Sequence, residues 1–272
     1  MTTTTLPETQ VATVEKATFA DVLRAEWIKL WSVRSTWWTV VALFLLGAGL
    51  TTLICWGNAD WLADEDPSRG GESPGSFITW GMMIAQVCAV IIGVLVVTSE
   101  YGTGMIRTTI AAVPVRGRVL AAKAVVVTGV LFVLGTVTAL VGYVGGNYFL
   151  DRAGIGLALE GDVARAMYGS GLFLAGLALF SMSVGFLVRH TAAAISIVLA
   201  LVFVIGNMVI LVPGDLGIFL ERVMPGNAGG AVASPVPFNP DLLDTWPSFA
   251  IFAAEVAAVT GLAWCLLRRR DA

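Results

Sequence analysis

The sequence predicts an all-α integral membrane protein. It should have six transmembrane helices, an amino-terminal interfacial amphipathic helix, and short re-entrant or outer helices between spans five and six. One observation is the composition: 57% of the residues are hydrophobic, 13% are charged and the mean hydropathy is +0.84, whereas about a quarter of the residues of soluble domains are charged. The other is a series of six long apolar runs. Five of them contain no Asp, Glu, Lys or Arg, and the sixth is interrupted only by Glu255.

Each apolar run is long enough to cross a bilayer. A helix needs about 20 apolar residues to cross a hydrocarbon core about 30 Å thick. A spanning segment must also satisfy its own backbone hydrogen bonds, which a helix does and an open strand does not. We therefore predict a transmembrane domain over residues 36–268, with spans near 37–56, 77–98, 120–148, 167–188, 191–212 and 248–267.

The distribution of Lys and Arg predicts the orientation. With both termini in the cytoplasm, 12 of the 16 basic residues lie on the cytoplasmic side, and the exceptions are Arg69, Arg152, Arg165 and Arg222. This bias is the one that the positive-inside rule describes. The stretch SEYGTGMIRTTIAAVPVRGRVLAAK, from Ser99 to Lys123, is then a cytoplasmic loop between spans two and three.

The amino-terminal segment divides into a tail and a helix. Residues 1–17 lack the basic region and apolar core of a signal peptide, so we interpret them as a flexible cytoplasmic tail. Residues 18–35 begin with a Thr18–Asp21 capping-box pattern, and Phe19, Leu23, Trp27, Leu30 and Trp31 share one face of a helix. Glu26 and Ile28 interrupt this pattern. Trp and cationic residues here suit a helix that lies in the inner interface and either anchors the chain or also docks a partner.

The segment between spans five and six is rich in proline. Residues 213–247 hold six of the ten prolines, together with the apolar stretches LGIFLERVM and GGAVASPVPF. These stretches are too short to span, and short pieces of this kind enter a membrane only where protein covers them. We expect short helices that dip into the outer side of the bilayer, with a plain extracellular loop as the alternative.

No catalytic constellation is present in the sequence. None of the three lysines follows the glycine that a phosphate-binding GxxxxGK[ST] loop requires, and the single histidine, His190, cannot form a zinc-protease helix. We expect no enzyme activity, no catalytic residue and no metal site in this chain.

A transporter needs a polar path through its spans. Gln86, Asn207 and Glu255 are the candidates for such a path, because polar side chains inside membrane spans are costly and often functional. The alternative for the amide side chains of Gln86 and Asn207 is that they form hydrogen bonds between helices. Buried carboxylates are scarce, which weighs against a proton-coupled carrier.

The order of these elements resembles the six-span permease subunit of ABC-2-type transporters, an exporter membrane protein of the actinobacterial type. The similarity is in FADVLRAEWIKLWSVRSTWW before span one, SEYGTGMIRTTIAAVPVRGRVLAAK after span two and RVMPGNAGGAV between spans five and six. It covers nearly the whole chain after residue 17. Met105 departs from the resemblance, since a small hydroxyl residue is expected there.

The resemblance implies how the protein works. A separate ATPase subunit would bind ATP and Mg and dock beneath the permease, on the amino-terminal helix and the 99–118 loop. The implied coupling residues are Glu26, Lys29, Glu100, Gly104, Arg107, Pro114, Arg116 and Arg118. A second permease, in a homodimer, would complete the substrate path in the plasma membrane, and no nucleic acid is expected as a partner. Small apolar molecules, antibiotics, peptides and lipids would all fit the apolar walls.

Two other functions remain open at this stage. One is a secondary transporter driven by an ion gradient, which would need buried titratable groups such as Glu255. The other is a membrane subunit that anchors or regulates an ATPase without transporting anything. The loop arginines also have a simpler explanation, because they set topology and attract anionic head groups.

Overall fold

The computed structural model describes residues 18–64, 73–113, 115–236 and 243–269, and within these ranges the chain is helical with no strand. Six helices are long and apolar enough to cross a membrane, which confirms the predicted fold class. They are Arg34–Ala63, Pro74–Thr103, Arg116–Arg152, Gly161–Val188, Thr191–Leu211 and Thr245–Arg269. We call them spans one to six. The predicted tail, residues 1–17, lies outside the described residues.

Span four is the centre of the bundle. In its most apolar stretch, 72% of the residues are buried, against 22% in span six and 28% in spans one and five. Spans two, three and six pack against it. Spans one and five each contain a π-helical segment, at Leu45–Gly49 and Ala200–Ile205. Span two begins with a short helix, Pro74–Phe77, and continues as Trp80–Thr103.

Short helices connect spans five and six, as expected from the proline-rich segment. They are Asp215–Val223, Pro225–Gly230 and the 3₁₀ turn Ala231–Ala233. Proline occupies the first position of the second helix, where its missing N–H has no intrahelical partner to lose. The turn Ala231–Ala233 packs against spans four and six, so this segment covers the bundle at one end.

The helices of spans two and three extend further than the sequence indicated. Span two continues to Thr103 and span three begins at Arg116, so Glu100 lies in a helix and not in a loop. Between them, Gly104 adopts a left-handed conformation with φ 73°, and a short helix follows at Met105–Ala112, the loop helix. Glycine suits this position because it enters the left-handed region without steric cost.

The amino-terminal helix, Phe19–Ser32, begins with the predicted capping box. The Thr18 hydroxyl accepts a hydrogen bond from the Asp21 N–H, and the Asp21 carboxylate accepts one from the Thr18 N–H at 2.9 Å. The hydrogen bonds from the Thr18 side chain and backbone lower the pKa of Asp21. The predicted apolar face packs on the bundle only in part: Leu30 is buried, whereas Phe19 and Trp27 are exposed.

Thr18→Ala should loosen the first turn of the amino-terminal helix. A lost N-cap typically raises local opening about fivefold, and hydrogen exchange at the Asp21 and Val22 amides measures it. The pKa of Asp21 is lower in the folded chain than in the unfolded one. Its contribution to the stability of the helix is therefore present above the unfolded pKa and is lost as pH falls through the folded pKa. Unchanged exchange at these amides in the variant would contradict the role of the cap.

Candidate functional site

Two residues of the amino-terminal helix face the ends of spans two and three. The buried residues of this helix are Val22, Glu26 and Leu30, which recur every four positions and so lie on one face. Glu26 is 4% exposed, although it interrupts the apolar pattern of the sequence. Lys29 lies beside it, one turn along. We call the end of the bundle that carries this helix, the loop helix and the Arg189 turn the basic end.

Four charged side chains form one cluster at the basic end: Glu26, Lys29, Glu100 and Lys123, the charge cluster. Lys123 Nζ lies 2.6 Å from Glu26 Oε2 and 2.6 Å from Glu100 Oε1. Lys29 Nζ lies 2.8 Å from Glu26 Oε1 and 3.0 Å from Glu100 Oε1. The two positive and two negative charges balance. Because Glu26 and Lys29 belong to the amino-terminal helix, the cluster fastens that helix to spans two and three.

The ammonium groups of the charge cluster have no hydrogen-bonding capacity left. Lys123 also donates to the Val96 carbonyl at 3.2 Å, and Lys29 donates to Thr109 Oγ1 at 3.2 Å. Each ammonium therefore has three acceptors, which matches its three N–H donors. Thr109 belongs to the loop helix, so the loop helix is also tied to the cluster. Within the cluster, Glu100 Oε2 is buried and has no hydrogen-bond partner.

The opposite charges of the cluster compensate one another for their burial. Lys123 is 1% exposed and Glu100 is 2% exposed, so each would lose several kcal/mol of hydration if it were buried alone. Lys29 is less buried. Burial lowers the pKa of Lys29, but the hydrogen bonds that Lys29 donates to Glu26 and Glu100 outweigh that effect and the net pKa is raised. Lys29 is therefore a cation near neutral pH, and its contribution to stability is lost only as pH rises through this raised value.

Further contacts tie the other spans together at the basic end. Arg116 donates a hydrogen bond to the Leu267 carbonyl at 3.1 Å, which joins the start of span three to the end of span six. The Arg189 guanidinium lies 5.1 Å from the centre of the Tyr101 ring, and the Thr191 hydroxyl donates to the Thr98 hydroxyl at 2.8 Å. The exposed His190 caps span five by accepting the Ala193 N–H.

The predicted coupling residues fall into two groups in the structure. Glu26, Lys29 and Glu100 come together in the charge cluster, where Glu26 and Glu100 are buried. Gly104, Arg107 and Arg118 are exposed at the surface of the basic end, and Arg116 is half-buried. Pro114 lies outside the described residues.

Lys123 is the functional candidate that sequence reasoning did not select. It was counted only as a cytoplasmic charge, yet it lies seven residues into span three, among apolar residues. A cation at that depth needs a carboxylate partner, and this need is the signal that could have identified it.

The three candidates for a substrate path remain separate in the part of the chain that the structure describes. Gln86 is buried in span two and its amide nitrogen donates to the Met83 carbonyl. Asn207 is exposed and donates to the Phe203 carbonyl. Glu255 is half-buried in span six, and its Oε2 atom has no hydrogen-bond partner. The two amides thus bond within their own helices and not to each other.

The fold and this site define a multi-pass membrane protein whose amino-terminal helix and inter-span loop are fastened to the ends of its spans. The sequence profile of the ABC-2 family transporter proteins matches residues 22–209, from the amino-terminal helix to the end of span five. The chain belongs to this family, as its resemblance indicated. It is therefore a membrane component of an ABC transporter, which works with an ATPase partner and is not itself the catalytic subunit. No curated protein matches the chain significantly.

Proposed function

We propose that the chain is the permease subunit of an ATP-driven exporter and that a separate ATPase subunit docks on its basic end. The observation that carries the proposal is the charge cluster. Its four side chains, together with Thr109 of the loop helix, join the amino-terminal helix, the loop helix and spans two and three through hydrogen bonds. A force applied to the loop helix or to the amino-terminal helix would be passed directly to two spans.

The exposed arginines of the basic end supply the docking surface in this proposal. Arg107 lies on the loop helix and Arg118 lies in the first turn of span three, and both are exposed. Exposed guanidinium groups pair well with carboxylates of a partner. Glu26, Lys29 and Glu100 then transmit movement instead of touching the partner, which refines the role that the family resemblance implied for them.

Movement of the loop also has a route to span six. The Arg116 guanidinium connects the loop to the Leu267 carbonyl, and span six packs on the central span four. When the partner binds ATP and Mg, its contacts with the permease would differ between two arrangements of the spans. ATP binding would therefore favour one arrangement over the other. In the same proposal, the chain lies in the plasma membrane and both of its termini are on the cytoplasmic side.

The substrate path would lie between this chain and a second permease, in a homodimer. Spans one and five are the least buried together with span six, so they have free apolar surface for lipid or for another chain. The helices of 215–233 would cover the path on the outer side. An exported drug, antibiotic, peptide or lipid with apolar character suits walls made of such residues.

One observation favours a second candidate function, transport driven by an ion gradient. Glu255 is a half-buried carboxyl group in span six with one oxygen that lacks a hydrogen-bond partner. The two mechanisms differ in their requirement for the ATPase: an ion-driven carrier transports in vesicles that lack it, and an exporter of the ABC type does not. A subunit that only anchors an ATPase would capture it without substrate-dependent ATP turnover.

Arg107→Glu combined with Arg118→Glu is expected to weaken capture of the ATPase at least tenfold, since reversal of two docking charges should cost more than about 1.4 kcal/mol of binding free energy. The measurement is a detergent pull-down of the ATPase encoded nearest to the gene, co-expressed with the chain and titrated at constant salt. The expected loss should become smaller as salt is raised, because exposed charges are screened.

Arg152→Glu is the matched control, because Arg152 is an exposed arginine at the opposite end of span three. It should capture the ATPase like the original chain, while all variants elute as the same monodisperse species. Equal capture by the double variant and the control would refute docking through these arginines. Failure of the original chain to capture any candidate ATPase would refute the exporter proposal itself and favour the ion-driven alternative.

A further inference from the structure

We propose that the cavity beside the charge cluster binds the ammonium head group of an aminophospholipid from the surrounding bilayer. The cavity has a volume of about 190 Å³ and lies between the amino-terminal helix and spans one, two and three. Glu100, Lys29 and Lys123 contribute to one part of its wall, and Leu30, Ile92 and Leu95 to another. The inference goes beyond the proposed function and does not depend on the ATPase.

The polar atoms on the charge-cluster side of this cavity are short of hydrogen-bond donors. Both ammonium groups of the charge cluster already have three acceptors each, whereas Glu100 Oε2 is buried without a donor. Three hydroxyl groups of the wall use their protons within their own helices: Ser32 donates to the Lys29 carbonyl, Thr39 to the Ser35 carbonyl and Ser99 to the Leu95 carbonyl. Their remaining lone pairs can only accept hydrogen bonds.

This arrangement selects a ligand that donates hydrogen bonds. A primary ammonium has three N–H donors, and hydrogen bonds from an ammonium to a carboxylate are among the strongest in proteins. A phosphate or carboxylate placed beside the charge cluster would find only saturated ammonium groups; the hydroxyl groups of Ser35 and Thr36, which can still donate, adjoin Arg34 in the chain. A quaternary ammonium, which has no N–H, would leave the acceptors without donors.

The size and position of the cavity point to a lipid. Typical pockets for drug-sized molecules enclose about 300–1,000 Å³, so this smaller cavity suits one head group whose acyl chains remain outside. Trp37 and Trp38 are exposed on the adjoining start of span one, and tryptophan is enriched where membranes meet water. The cavity therefore opens at the level of lipid head groups.

A positive charge adjoins the cavity where the lipid phosphate would lie. Arg34 is exposed and stands in the chain between Val33 and Ser35, which both line the cavity. The charge cluster is neutral, so an ammonium on its acceptor side together with a phosphate beside Arg34 keeps the local charge in balance. A zwitterionic phospholipid with a primary amine has this charge pattern, and phosphatidylethanolamine is the probe of that class.

The full-length chain in detergent should retain phosphatidylethanolamine at least tenfold more strongly than phosphatidylcholine with the same acyl chains. Native mass spectrometry measures retention across a lipid titration, with phosphatidylglycerol as a third, anionic arm. Thr39→Val combined with Ser99→Ala removes two hydroxyl acceptors of the wall and should reduce the preference for phosphatidylethanolamine severalfold, while the carboxylate of Glu100 remains. Thr128→Val is the control, because Thr128 also donates to a carbonyl of its own helix and does not line the cavity.

Three results would overturn the inference. Equal retention of phosphatidylethanolamine and phosphatidylcholine by the original chain would show that no ammonium N–H is recognised, and this comparison needs no variant. Preferred retention of phosphatidylglycerol would show a site for anions. A phosphatidylethanolamine preference that the double variant leaves undiminished would place the lipid elsewhere on the bundle.

Discussion

Replacing Lys123 with Met is expected to lower the free energy of unfolding by about 3–5 kcal/mol, the range seen when one partner of a buried ion pair is removed. The variant keeps the length of the side chain but leaves the carboxylates of Glu26 and Glu100 with Lys29 as their remaining cation in the charge cluster. Both carboxylates are at most 4% exposed, so water does not replace the lost ammonium. Resistance to unfolding in a mild detergent, measured by titration with a denaturing one, reports the change.

Lys29→Met is the matched comparison for this prediction. The Lys29 side chain is 29% exposed, and in its absence the buried Lys123 still pairs with both carboxylates, so the loss should be clearly smaller. Combining Lys123→Met with Glu100→Gln leaves one carboxylate, Glu26, paired with Lys29, so the cluster is neutral again and part of the lost stability should return. If the two Met variants lost equal stability, the charge cluster would not be the desolvated connection that its geometry indicates.

The spans and the capping box could be predicted because their signals are local. An apolar run of sufficient length has one stable conformation in a bilayer, and the Thr18–Asp21 pattern is complete within four residues. Span two was predicted to end too early and span three to begin too late, because the prediction placed both boundaries where polar residues begin. The structure continues both helices through Glu100 and back to Arg116, since polar residues at the end of a helix are compatible with its backbone.

The charge cluster could not be predicted as a unit because its members are distant in the sequence. Lys123 is 97 residues from Glu26 and 23 from Glu100, and only the packing of three helices brings them together. In the sequence, Glu26 was a defect in an amphipathic pattern. In the structure it is the residue around which the amino-terminal helix attaches. The family resemblance grouped Glu26, Lys29 and Glu100 as coupling residues, which stays a prediction; the structure shows that the three side chains meet and that two of them are buried.

The polar residues within the spans show a different limit. A sequence shows that Gln86, Asn207 and Glu255 lie inside apolar runs, but it does not show whether each faces a neighbouring helix, lipid or a second chain. Gln86 and Asn207 donate to carbonyls three and four residues earlier in their own helices. Such local bonding satisfies an amide without any path, so their assignment to a substrate path stays a prediction, as does that of Glu255.

Gly93→Ala is expected to destabilise the bundle by about 1–3 kcal/mol, the usual cost of adding a methylene-sized group to a well-packed core. Gly93 lies in span two where it crosses span four. A Cβ atom at this position would clash with the carbonyl oxygen of Ala178 and lie 3.0 Å from its Cα atom. Backbone atoms of a central helix cannot turn aside as a flexible side chain can, so the two helices must separate. The same detergent titration measures the loss.

Gly129→Ala is the control that separates packing from the general effect of glycine in a helix. Gly129 lies in span three, and a Cβ atom there meets nothing within 4 Å. This variant should be as stable as the original chain or slightly more so, since alanine is the better helix former. Equal stability of the two variants would mean that spans two and four are not in backbone contact. In that case, movement of the charge cluster would not pass along span two to span four through this crossing. The contact between Arg116 and span six would then have to transmit the movement.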